Sequence, residues 1–162
     1  MPSGKGRGKR RGGPWYGEFR ERLRFEGEAR RLHKDLRSGI RSNVPEAGYW
    51  IRLRVDVPYY EARNVEIRFP RRAPRTPRVR VDGPGDSPHR YGGGVLCMWH
   101  SEDPPSQRWE FEDGLLPLIG YIIAHLFREA WWRERREWLG PEAGHPVPGE
   151  KALEGEDVRR SA

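Results

Sequence analysis

Between residues 49 and 57 the chain alternates without a break, and this constrains the fold more than any other stretch. Tyr49, Ile51, Leu53, Val55 and Val57 fall on one side, Arg52, Arg54 and Asp56 on the other. A period of two with one apolar side predicts a strand that buries one face and leaves the other in water. Pro58 ends it. Val65, Ile67 and Phe69 repeat the pattern around Glu66 and Arg68, and Val79 and Val81 repeat it around Arg80. Three short alternating strands with brief links predict an antiparallel meander covered on one face. The link over 70–78 carries Pro70, Pro74 and Pro77, which force an extended path. The stretch 82–94 has no period and reads as irregular loop.

Something must cover the apolar face, and two segments with helical spacing are available. In 15–37, Phe25, Ala29, Leu32 and Leu36 recur at i, i+4, i+7 and i+11, with Phe19 and Leu23 extending the stripe and Ser38-Gly39 as a stop. In 114–139 the apolar face is broad, from Leu115 to Trp131. Acids precede this helix (Glu110, Glu112, Asp113), Arg133, Arg135 and Arg136 load its end, and Gly140-Pro141 stops it. Pro117 is tolerated because it falls in the first turn. Helix, strands, loop and helix in that order predict an α+β domain over residues 15–148.

The net charge of +7 is unevenly spread. Residues 1–14 hold Lys5, Arg7, Lys9, Arg10 and Arg11 and no acid, leaving 26 basic against 24 acidic residues in the rest. This tail has no core-forming pattern and is expected to be disordered. It offers nucleic acid a purely electrostatic contact, although a solvating tail is the simpler reading. Residues 149–162 are charged and unpatterned, and are expected to form a second tail. No segment has the ~20 apolar residues of a membrane span. One cysteine excludes an intramolecular disulfide and suits a reducing cytoplasm.

That cysteine, Cys97, follows Gly92-Gly93-Gly94 and Val95-Leu96 and precedes Met98-Trp99-His100. Read locally, it is either a small buried hydrophobe or a nucleophile served by a nearby histidine. A metal site is disfavoured: Cys97 and His100 have C-x-x-H spacing, but there is no second cysteine. The three glycines are not a phosphate loop, since no G-K-[ST] follows. His33 and His125 lie far from the cysteine in sequence and read as structural. The tryptophans at 99, 109, 131, 132 and 138 read as packing residues.

Several segments together resemble the ubiquitin-conjugating enzymes. Phe69-Pro70-Arg71-Arg72-Ala73-Pro74-Arg75-Thr76-Pro77-Arg78-Val79 is similar to that family's F-P-x-x-Y-P-F-x-P-P-x-V segment, one proline short. His89 lies eight residues before Cys97, near the place of the family's H-P-N histidine. Gly94-Val95-Leu96-Cys97-Met98 resembles the G-x-I-C-L motif, and Trp109 with the helix after it resembles the W-x-P segment and its helix. The run from Glu129-Ala130-Trp131-Trp132 to His145-Pro146 is similar to bacterial homologues, some of which sit in antiphage operons.

The resemblance implies a ubiquitin-conjugating fold and a carrier that takes a ubiquitin-like protein from an activating enzyme as a thioester on Cys97. The carrier then passes it to an amine on a protein target, with no cofactor. It implies that His89 pins the active-site loop. Arg90 and Tyr91 stand where the family has Pro and Asn, so the oxyanion donor must come from elsewhere. Candidates are backbone N–H groups near Gly94 and Cys97 and the side chains of Tyr91, His100 and His145. Cys97 is expected to be partly exposed at the edge of a shallow groove. The rival expectations are an adaptor of the same fold with an inert cysteine, a cysteine hydrolase that removes modifiers, and a nucleic-acid binder led by the tail. The hydrolase would require a histidine and an orienting acid beside Cys97 in space.

Overall fold

The computed structural model describes residues 13–140. His145 and most of both expected tails, with the domain boundary expected at 148, lie outside the described residues. A 3₁₀ turn at Trp15–Gly17 leads into helix α1 (Phe19–Leu32). Strands β1 (Arg37–Arg41), β2 (Gly48–Val55), β3 (Arg63–Pro70) and β4 (Arg78–Val81) follow, then the short strands β5 (Arg90–Tyr91) and β6 (Val95–Leu96), and finally helix α2 (Leu115–Arg135). The six strands form one antiparallel sheet in the order β1-β2-β3-β4-β6-β5. The chain is thus α+β, a meander flanked in sequence by an N-terminal and a C-terminal helix.

The alternation in 49–57 does what its period demands. Tyr49, Ile51, Leu53 and Val55 are buried, and Arg52 and Arg54 are exposed. In register with them, Val65, Ile67 and Phe69 of β3 and Val79 of β4 complete the inner face. Phe25 and Ala29 of α1 and Leu115, Leu118, Ile119, Ile122 and Leu126 of α2 join the same core. Trp15 closes one end. Its ring packs edge-on against Tyr49 and Phe69, and its indole N–H donates to the Pro74 carbonyl. Trp109 is buried, with its N–H on the Gly114 carbonyl at 2.8 Å.

Four expectations are corrected. The first helix does not run over 15–37: it ends at Leu32, and Arg37 begins β1. Strand β1 carries no alternating pattern because it is an edge strand with no fully buried residue, so no alternation is imposed on it. The stripe through Phe19, Leu23 and Leu32 is not a core face, since these residues are 67, 57 and 68% exposed. At 3.6 residues per turn, Phe19 and Leu23 are rotated roughly 120° and 160° from Phe25, too far to reach the sheet. Residues 82–94 are not wholly irregular, because they contain β5. The second helix ends at Arg135, four residues before the expected 139, where Arg136 takes a left-handed conformation (φ 57°). Among the described residues no helix is long and apolar enough to cross a membrane.

Candidate functional site

The hairpin of β5 and β6 builds the site. Gly93 and Gly94 have φ of 77° and 75°, a region that side chains with a Cβ rarely enter, and so permit the tight reversal. Arg90 pairs with Leu96 and Tyr91 with Val95. Continuing that register sets His89 opposite Cys97, and the Cys97 N–H donates to the His89 carbonyl at 3.0 Å. The eight-residue spacing between the two is therefore the closing of one hairpin. Opposed residues share a face, and so do residues two apart. His89, Tyr91 and Cys97 accordingly cluster, and the Tyr91 hydroxyl donates to the Cys97 sulfur.

Cys97 is not partly exposed as expected; it is 6% exposed. The hairpin turns its side chain inward, where it lines a cavity of about 530 Å³ between the hairpin, the loop after Cys97 and α2. On α2 the lining residues Pro117, Gly120, Tyr121, Ala124, His125 and Arg128 follow helical spacing along one face. Gly120 and Ala124 are small, which keeps the space open. Trp99 and Trp138 form aromatic walls, with Trp138 lying 4.1 Å from the His89 ring and 5.4 Å from the His125 ring, centroid to centroid.

Burial pushes the Cys97 thiol up. The Tyr91 hydrogen bond opposes this and the nearby Asp103 carboxylate adds to it, so the group remains a thiol at neutral pH. Tyr91 is itself pushed up to about 12, first by its bond to Cys97 and then by burial.

Behind the cavity lies a buried ionic network. Arg90 Nε and Nη2 donate to Glu129 Oε1 and Oε2 at 2.8 and 2.7 Å, with the two side chains 6% and 1% exposed. Burial alone would raise the Glu129 carboxyl. The Arg90 guanidinium and the adjacent His125 outweigh burial and hold it down at about 2. Arg133 joins from the next turn, 3.4 Å from Glu129, and also donates to Asp86 and to the Pro84 carbonyl. The loop before β5 is thereby clamped onto α2. His125 Nε2 lies 3.4 Å from Glu129 Oε1, a close contact without hydrogen-bond geometry. That buried nitrogen has no hydrogen-bond partner among the described residues.

Of the candidate residues, Cys97, His89 and Tyr91 are brought together. His100 is not among the cavity's lining residues. Its backbone N–H donates to Asp103 Oδ2 at 2.7 Å, and its Nδ1 accepts from the Glu102 N–H at 3.4 Å, which fixes the loop. His125, expected to be only structural, lines the same cavity as Cys97 although 28 positions separate them. The sequence signal that could have found it is the pair His125 and Glu129 at i, i+4, which necessarily share a helix face. Among the described residues no group of three or more His, Cys, Asp or Glu side chains is arranged to hold a metal ion. Set against protein-family models, curated proteins and solved structures, the chain matches none.

Proposed function

We propose that this protein carries a ubiquitin-like modifier as a thioester on Cys97 and transfers it to an amine, in the manner of a ubiquitin-conjugating enzyme. The observation that carries the reading is the His89–Cys97 pairing at a cavity wall, on a hairpin that follows a four-stranded meander and precedes Trp109 and α2. In the first step the Cys97 sulfur displaces the thiol of an activating enzyme from the modifier's terminal carbonyl. In the second an amine nitrogen attacks that carbonyl, loses a proton and expels the Cys97 thiolate, which takes a proton back. Thiolate is a good leaving group, so the bound carbonyl stays activated. The raised thiol pKa moderates this, because a more basic thiolate leaves more slowly. Tyr91, bonded to Cys97, supplies a donor for the developing oxyanion in place of the absent family Asn.

A second reading gains from one specific observation. His125 lines the cavity of Cys97 and has the Glu129 carboxylate 3.4 Å behind it, the residue types that a cysteine hydrolase of modifier conjugates requires.

The test uses the purified chain with a ubiquitin-like protein encoded beside it, the matching activating enzyme and ATP. A conjugating enzyme forms an adduct that thiol reductant removes. Cys97→Ser forms an oxyester that resists reductant, and Cys97→Ala forms none. His125→Gln retains the adduct. If instead wild type cleaves a modifier–lysine conjugate and His125→Gln does not, the hydrolase replaces the carrier. If neither activity is found and Cys97→Ala retains full biological function, the protein is an adaptor.

A further inference from the structure

The outer face of the sheet has an unusual composition. Strand register places Arg37 of β1, Arg52 and Arg54 of β2, Arg68 of β3 and Arg78 and Arg80 of β4 on the side away from the core. Cross-strand neighbours lie about 4.8 Å apart, so these guanidinium groups spread over a strip about 15 Å wide. The central acid is Glu66, which binds Arg52 and Arg68 at 2.7 and 2.5 Å. Glu46 at the margin takes Arg41 and shares Arg68. Asp35 and Asp82 lie at the far end and are occupied by the Arg54 backbone N–H and by Asn64. Arg37, Arg54, Arg78 and Arg80 have no carboxylate partner among the described residues, and the first three are exposed. The one large apolar side chain on the β2 part of this face is Trp50. Its indole lies over Gly39, where a Cβ would come within 2.9 Å of the ring, and Arg52 stacks above it at 5.2 Å.

We propose that this face binds single-stranded nucleic acid. Charge decides for a polyanion: unpaired arginines on an open surface gain by releasing counterions from phosphates. The shortage of apolar residues decides against a protein partner, whose interface needs a buried apolar or aromatic centre. Shape decides against duplex, because a major groove admits a helix or a two-stranded ribbon and this sheet is four strands wide here. A single strand laid across such a sheet meets arginines on successive strands, and the Arg52 guanidinium, backed by the Trp50 ring, offers one base a stacking surface. The strip reaches the cysteine hairpin, since Arg80 Nε donates to the Gly93 carbonyl at 3.3 Å. The inference does not depend on the chemistry of Cys97.

The experiment is fluorescence anisotropy of a labelled 20-nucleotide oligo-dT with the full chain, over 50–300 mM salt. Two variants remove equal charge: Arg37→Ser with Arg54→Ser and Arg78→Ser on the face, and Lys9→Ser with Arg10→Ser and Arg11→Ser in the tail. Single-strand contacts contribute about 0.7 each to the salt slope, so the face variant lowers the slope by about 2 and weakens binding about 100-fold at 0.1 M salt. The tail variant changes both by less. Trp50→Leu weakens binding about tenfold at an unchanged slope, because stacking is not ionic. A melting curve checks that the face variant folds, and the single change Arg78→Glu replaces it if it does not. Four results overturn the proposal: no binding by wild type, equal losses from face and tail, a face variant that binds like wild type, or displacement of the oligonucleotide by polyglutamate of equal length and charge.

Discussion

Two buried glutamates do different work. Glu26 on α1 and Glu129 on α2 are 3% and 0% exposed. Glu26 accepts from the Tyr49 hydroxyl, from Ser38 Oγ at 3.3 Å and from Arg30, whose side chain is 43% exposed. Its partners are two neutral hydroxyls and one cation that water can reach, and they fasten α1 to the first two strands. Glu129 is held by a cation whose side chain is 6% exposed, and its neighbour His125 leaves a nitrogen without a hydrogen bond among the described residues, in the wall of the Cys97 cavity. A fold needing only a fastening can use groups that lose little when separated. Burying a charge against a charge is costly and is weak evidence for stability. At Glu129 the outcome is a fixed helix face opposite the cysteine, which is a reason to place that network with the site.

Removing each carboxylate should separate the two sites most strongly. Glu129→Ala strands the Arg90 guanidinium in the interior and should cost about 3–5 kcal/mol, a fall in melting temperature of roughly 10–20 °C. Glu26→Ala leaves only hydroxyls and an Arg30 that can swing into water, and should cost about 1–3 kcal/mol. Equal losses by thermal unfolding would erase the distinction.

Glutamine separates the two sites further. Glu26→Gln still accepts from Tyr49 and Ser38 and should lie within about 1 kcal/mol of wild type. Glu129→Gln keeps the shape but removes the charge that Arg90 needs, and should retain most of the alanine penalty. Urea midpoints at constant m-value measure both.

Titration should split the regions in opposite directions. The Glu129 carboxyl is depressed from 4.5 to about 2. Its contribution is therefore present above pH 4.5 and is lost as pH falls through about 2. Tyr49 is raised from 10.0 to about 12, first by burial and then by its bond to Glu26. Its contribution is present below pH 10 and is lost as pH rises through about 12. Stability against pH should lose its acid limb in Glu129→Gln and part of its alkaline limb in Tyr49→Phe. Unchanged limbs in both variants would contradict these assignments.

The smallest effect concerns Cys97. Its alkylation by iodoacetamide should keep accelerating beyond pH 9.0, the ordinary thiol value, because burial raises it. Tyr91→Phe removes a hydrogen bond that favours the thiolate, and should slow alkylation at pH 8 by up to about tenfold. Faster alkylation in that variant would mean that Tyr91 shields the sulfur and does not stabilise its charge.

Local pattern was enough for the inner face of the sheet and for the apolar face of the second helix. Alternation and helical spacing are nearest-neighbour consequences of burial, and they stand in the order of Tyr49, Ile51, Leu53 and Val55 or of Leu115, Leu118, Ile119 and Ile122. Tertiary structure alone decided the rest. Strand β1 has no fully buried residue, so nothing in Arg37–Arg41 had to alternate. Phe19 and Leu23 carry apolar side chains on a helix that turns them outward. Arg90 and Glu129 are ordinary charged residues until the hairpin and α2 meet and exclude water from both. Cys97 and His125 share a cavity because β6 and α2 converge, and a spacing of 28 residues carries no periodic signal of that contact. A one-dimensional pattern records which side of an element is dry. Which elements touch, and hence which charges are buried together, is set by the packing of the whole chain.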